Sequence, residues 1–290
     1  MRTTKNILIA GATAAAVIFT ISSCQKSFDA KTYAPSKPLP KIEGFSNSKD
    51  VAAANLVAYW PFNGSLTDSV SATNGVATGT SFTTGVIGKG LQGADNGYVV
   101  SDVPAAVKSL HDFTVSLWVK TPQNTNALGV FDIDNDQAGG AGFWGSLAIF
   151  FDNGGSATTG ILKVHAFSIT GSEAGKDAWE GGYTVDNPWN TWINIMVSYS
   201  DASSTVSVYY NGAVAGINTV NGFAPLDWSK AKKMVFGTLQ FQTTPSLTAN
   251  TGAQPWAGYL TGSMDQVRIY NKALSTSEIR GLYGLEKAGR

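Results

Sequence analysis

Leu56-Val-Ala-Tyr-Trp-Pro-Phe-Asn-Gly64 and, two hundred residues on, Gly262-Ser-Met-Asp-Gln-Val-Arg-Ile-Tyr-Asn-Lys-Ala-Leu274 both alternate apolar and polar side chains. A period of two marks a strand with one buried face. The same alternation recurs between them. Phe113, Val115, Leu117 and Val119 fall on one face of a strand, with Thr114, Ser116 and Trp118 on the other. Tyr98 to Val100, Ala127 to Ile133, Ser146 to Phe151, Ile161 to Ile169, Trp192 to Tyr199, Thr205 to Tyr210, Met234 to Leu239 and Tyr259 to Tyr270 read as further strands. Asn211-Gly212 separates two alternating runs, the signature of a two-residue hairpin whose turn needs positive φ twice. Many short strands punctuated by turns predict a sandwich or barrel.

One helix is expected after the last strand. Ser275-Thr-Ser-Glu278 is a capping box, and Leu274 and Ile279 are placed as a hydrophobic staple. The helix is predicted over Thr276 to Tyr283, with Gly284 as its stop.

The composition suits a globular β-protein. Of 290 residues, 43% are hydrophobic and only 14% charged, and 32 glycines supply turns. Lys plus Arg equals Asp plus Glu at 20 each, with no basic stripe, so no nucleic-acid partner is expected.

The single cysteine, Cys24, excludes a disulfide framework. Arg2 and Lys5 precede an apolar run from Ile7 to Thr20, and Ile21-Ser-Ser-Cys24 then resembles a bacterial lipobox. Residues 1–23 read as a lipoprotein signal peptide, and residues 24–52 as a lipidated Cys24 on a flexible, Pro-containing tether. Acyl chains at ~0.8 kcal/mol per buried methylene would hold such a chain on a membrane. An outer-membrane lipoprotein of the Bacteroidetes type is the expectation. Asp29 and Lys26 leave open whether it faces the cell surface or the periplasm.

Residues 53–285 carry the domain, and 286–290 form a tail. Ala58 to Gly64, Gly93-Ala-Asp-Asn-Gly-Tyr-Val-Val100, Phe113 to Lys120, Trp192 with Val206 to Gly212, and Gly262 to Leu274 together resemble a laminin-G-like domain of the concanavalin-A-like lectin/glucanase superfamily. The resemblance implies an all-β jelly-roll β-sandwich of two antiparallel sheets with the short C-terminal helix. It implies a binding module, a carbohydrate ligand and one structural calcium ion.

Candidate sites follow from side-chain chemistry. Glycosidases need two carboxyls about 5 Å apart, or ~6.5–9.5 Å when inverting. No acid pair of the superfamily's Glu-x-Asp-x-Glu type is present. Glu173, Asp177 and Glu180 are the nearest cluster, in a glycine-rich stretch read as a loop. Calcium wants several oxygens, and Asn63, Asp68, Asp95 and Asp265 are the expected ligands if the two end strands pair. Asp132-Ile-Asp-Asn-Asp136 begins like an EF-hand loop but has Gln137 and Phe143 where Gly and Glu are required. Asp134 and Asp136 stay as candidates for sugar hydroxyls. Sugars also stack on aromatic rings. Trp144, Trp179, Tyr183 and Trp256 sit beside loop-forming residues and are the expected platform, whereas Trp60, Trp118 and Trp192 read as strand packing. The expected function is non-catalytic carbohydrate binding by a cell-envelope lipoprotein, in a glycan-uptake system. The alternatives are protein adhesion or scaffolding and, less favoured, glycoside hydrolysis.

Overall fold

The stretches that open and close the domain pair with each other. β1 (Leu56–Trp60) runs antiparallel to β16 (Ser263–Tyr270), with Leu56 opposite Tyr270 and Trp60 opposite Val267. β6 (Phe113–Lys120) takes the opposite edge of β16. The computed structural model describes residues 38–135, 140–169, 175–249 and 251–290, and Pro40–Arg290 is one compact unit. Cys24, the expected leader, Asp136 and Glu173 lie outside the described residues.

Among the described residues, sixteen strands form two sheets of eight, an all-β jelly-roll sandwich. The first sheet runs β13 (Ala213–Thr219), β12 (Thr205–Tyr210), β11 (Ile193–Ser200), β6, β16, β4 (Lys89–Gln92), β3 (Ser81–Thr84), with β1 beside β4 along β16. The second runs β10 (Lys176–Asp186), β9 (Thr159–Ser168), β8 (Leu147–Asp152), β7 (Ala127–Ile133), β14 (Lys233–Phe236), β5 (Tyr98–Asp102), β2 (Gly75–Thr78). Pairing is antiparallel except for β15 (Ala257–Gly258), which lies parallel to β7.

The core fills the space between the sheets. Phe113, Val115, Leu117 and Val119 of β6 meet Ile133, Leu147, Ile149 and Phe151 of the second sheet, all buried. Each such side chain contributes about 1.5–3 kcal/mol relative to exposure. Asn211 and Gly212 both take positive φ, +51° and +74°, as the hairpin reading requires.

The outer face of the first sheet is covered. α1 (Ala105–Lys108) and α2 (Gly140–Phe143) are single turns, but α3 (Thr276–Lys287) lies across this face with its capping box formed. α3 runs through Gly284, the predicted stop. The reason is contact. A Cβ on Gly284 would sit 2.9 Å from Ile42, and one on Gly281 would sit 2.8 Å from Phe45. Both glycines let residues 40–45 lie against the helix. Ile42, Phe45 and Val51 pack with Leu282 and Leu285, so residues 40–52, read as tether, belong to the folded unit. The expected tail is likewise engaged. Glu286 is buried in an ion pair with Arg268 at 2.7 Å and accepts from the Trp118 indole at 2.7 Å. The Arg290 guanidinium donates to the carbonyls of Pro40 and Ser46.

Candidate functional site

On the outer face of the second sheet, register brings four residues into one row. Asp132 on β7 faces Ala148 on β8, which faces His165 on β9, which faces Trp179 on β10. Phe150 is the next outward residue of β8. The small Ala148 leaves room above the sheet, and Trp144, just after α2, fills it. The Trp144 ring stacks on Phe150 at 5.3 Å and stands edge-on to Trp179 at 5.0 Å. Trp256, just before β15, lies 5.7 Å from Trp144 and 5.3 Å from Phe241. Phe143 stacks on Phe241 at 4.5 Å. Trp179 stays 46% exposed and Trp256 38%, so the cluster presents two open rings on a packed aromatic base.

Polar groups edge and underlie this face. His165, fully buried, contacts Trp179 at 4.5 Å, and its Nε2 is 2.6 Å from Asp177 Oδ1. Asp132 is also fully buried. Its Oδ2 accepts from the Gln240 amide at 3.1 Å, while its Oδ1, the His165 Nδ1 and the Gln240 Oε1 have no protein partner. Burial raises the Asp132 carboxyl well above the usual carboxylate range, against the lowering effect of the Gln240 N–H, and nearby Asp134 adds to the rise.

This face brings three of the four expected aromatics together and leaves Tyr183 out. Tyr183 lies four positions after Trp179, a spacing that would keep them on one face of a regular strand. β10 carries a bulge between Gly181 and Tyr183, and the extra residue turns Tyr183 inward. Its hydroxyl donates to Glu180 at 3.1 Å, and its ring fills the space above Gly216. Burial, with Glu180 beside it, pushes Tyr183 up to about 12. Asp134 is buried away from the open rings, its Oδ1 accepting from the amides of Lys232 and Lys233. Trp189 and Trp228 are core residues.

The expected calcium ligands are engaged separately. Asp265 accepts from the Ile87 amide at 3.0 Å and from the Gln266 amide at 2.8 Å, and Asn63 accepts from the Lys89 amide at 3.1 Å. These two side chains hold one hairpin turn from both sides. Asp68, fully buried, accepts from the amides of Tyr59, Val70 and Ser71 and from the Ser71 hydroxyl. Asp95 lines a different cleft, with Asn124 and Tyr259. Among the described residues, no three His, Cys, Asp or Glu side chains converge as metal ligands, and these four do not fit a single ion.

Carboxyl geometry also bears on catalysis. Glu180 points into the sandwich, 3% exposed, with burial raising its pKa. Asp132 on β7 and Asp177 on β10 have β8 and β9 between them, and the Asp177 carboxyl leans onto His165 of β9.

A sequence profile of the concanavalin A-like lectin/glucanases superfamily, Laminin_G_3, matches residues 91–280. The chain belongs to this superfamily. Solved structures of similar fold include the binding domain of Paraclostridial Mosquitocidal Protein 1, at 17% identity and a TM-score of 0.58. That match covers 82% of this chain and 52% of the other. Domain 4 of AbnA, a GH43 extracellular arabinanase from Geobacillus stearothermophilus solved in complex with arabinotriose, aligns at 21% identity with a TM-score of 0.52. Here 79% of this chain and 98% of that one are covered. A botulinum neurotoxin type C structure, whose cell entry depends on interaction with two ganglioside molecules, matches at 12% identity and a TM-score of 0.55 over 82% of this chain and 52% of its own. The chain thus spans about half the length of the toxin chains it matches. No curated protein matches the sequence. At these identities the likeness speaks for the fold, and several of the matched toxin structures are binding domains.

Phe143, Phe150, Phe241 and His165 also build the face, beyond the residues expected from sequence. Phe150 was legible, because it alternates with Leu147, Ile149 and Phe151, which point into the core.

Proposed function

We propose that the chain is a non-catalytic carbohydrate-binding module that holds a glycan across Trp179 and Trp256, with Trp144 as the ring beneath and between them. The convergence of three tryptophans from separate segments, two of them left open, carries this reading. An exposed pair of large rings on an otherwise packed face costs hydration free energy until something apolar covers it. Sugar C–H faces do so, and Asp177 and Lys163 at the margin offer hydrogen bonds to hydroxyls. The arabinotriose complex of the arabinanase domain and the ganglioside dependence of the neurotoxin lend support by fold alone. The missing Glu-x-Asp-x-Glu-type acid pair favours binding over hydrolysis.

The same proposal places the chain on the outer membrane through acylated Cys24, within a glycan-uptake system. It rests on the lipobox-like segment of the sequence. A glycan array probed with the chain and with its Trp179→Ala/Trp256→Ala form tests the binding claim. Retention of selected glycans only by the unaltered chain is the expected result.

A further inference from the structure

Trp192 differs from the seven other tryptophans. Each of those packs against another aromatic ring, and Trp192 packs against none among the described residues. It precedes β11, where Ile193 turns into the core and leaves Trp192 on the opposite face of the sandwich from the Trp144 cluster. There it walls a cavity of about 470 Å³ together with Trp118 and Tyr283, whose rings stack at 5.6 Å. Glu286 fixes the Trp118 indole from behind, so this aromatic wall is rigid.

The cavity also gathers polar groups, two of which the fold does not use. The Asp186 carboxylate and the Thr191 hydroxyl line it, and neither makes a side-chain hydrogen bond or ion pair within the described chain. Lys287, on the last turn of α3, lies 5.3 Å over the Tyr283 ring and donates to its hydroxyl at 3.0 Å. One acid and one base leave the cavity near neutral overall. A concave aromatic wall with a few convergent hydrogen-bonding groups is the usual make-up of a small-ligand site.

We infer that this cavity is a second saccharide site, taking a neutral sugar unit that stacks on Trp192 beside the Trp118–Tyr283 pair and hydrogen-bonds to Asp186, Thr191 and Lys287. It shares its ligand class with the platform proposed above but none of its residues. A chain with both sites engages glycan on both outer faces and can join two strands of a polysaccharide.

Titration of the isotope-labelled full chain with arabinotriose, xylotriose and cellotriose, followed by the indole N–H signals in NMR spectra, tests this. Trp→Phe substitutions assign the signals. The Trp192 signal is expected to shift saturably with at least one probe, and to do so equally in the Trp179→Ala/Trp256→Ala chain. Asp186→Ala is expected to weaken that titration about tenfold, as one lost charge-assisted hydrogen bond would. Movement of the Trp179 and Trp256 signals with Trp192 unmoved would overturn the second site and leave the platform standing. Movement of Trp192 alone would do the reverse. No movement of any indole with any probe would count against both.

Discussion

Trp144 stands edge-on to Trp179, ring planes at 86° and centroids 5.0 Å apart. The same Trp144 ring touches Trp256 at 5.7 Å. One half-buried residue therefore sets the placement of both open rings. Trp144→Ala is expected to weaken glycan binding as much as loss of either exposed ring, about tenfold or more. It should also destabilise the domain by roughly 3 kcal/mol, as an aromatic-to-alanine change at a packed site does. Calorimetric titration and urea unfolding of the same variant read the two effects.

Helix propensity alone says that Gly281→Ala stabilises α3 by about 1 kcal/mol. The structure predicts the opposite sign. The added methyl would lie 2.8 Å from Phe45 Cδ2 and push residues 40–45 off the helix. A net loss of about 1–2 kcal/mol is expected from overpacking, measured by urea unfolding.

Much of the frame was legible in the sequence, and the losses have physical causes. The alternation of Phe113 to Val119 and the Ser275 capping box predicted their elements because each depends on local pattern. β2 and β3 went unread because their outward faces are largely exposed and their Gly, Thr and Ser residues give no apolar period. β10 was read as a loop on account of its glycines, two of which form a bulge inside a strand. That bulge is also why Tyr183 parted from Trp179. Gly284 read as the helix stop because nothing local shows that residues 40–45 return to cover it and Gly281. Trp192 read as packing because its strand alternates well, and only tertiary structure shows the cavity beside it.

The Arg268–Glu286 pair is almost completely buried. Arg268 also lies 3.9 Å over the Tyr59 ring and donates to Gln266. Glu286→Ala, which leaves the guanidinium unpaired, is expected to cost about 3–5 kcal/mol. The double change Arg268→Met/Glu286→Leu should recover most of that loss. Additive losses in the double variant, measured by denaturant unfolding, would contradict this account of the pair.

Asp265 gives the fold a pH signature. Burial pushes its carboxyl up from 3.8 to about 6, against the lowering effect of the Ile87 and Gln266 donors. A raised acid pKa means that the folded state holds its proton more tightly than the unfolded state. The stability this provides is full below about pH 4 and is lost as pH rises to about 6, amounting to roughly 3 kcal/mol. Asp265→Asn should flatten that part of the stability–pH profile.

Cys24→Ser tests the anchor. The variant is expected to leave the membrane fraction and to take up no labelled fatty acid. Membrane retention equal to that of the unaltered chain would contradict lipidation at this residue.

The central claim is that Trp179 and Trp256 form a glycan-binding surface. Its most direct test is affinity electrophoresis of the chain and of Trp179→Ala/Trp256→Ala through gels containing arabinan, xylan, glucan or mannan. The account predicts that at least one polysaccharide retards the unaltered chain and that the double variant, still folded by circular dichroism, loses that retardation. Equal retardation of both proteins, or none of the unaltered chain in any gel, would contradict it.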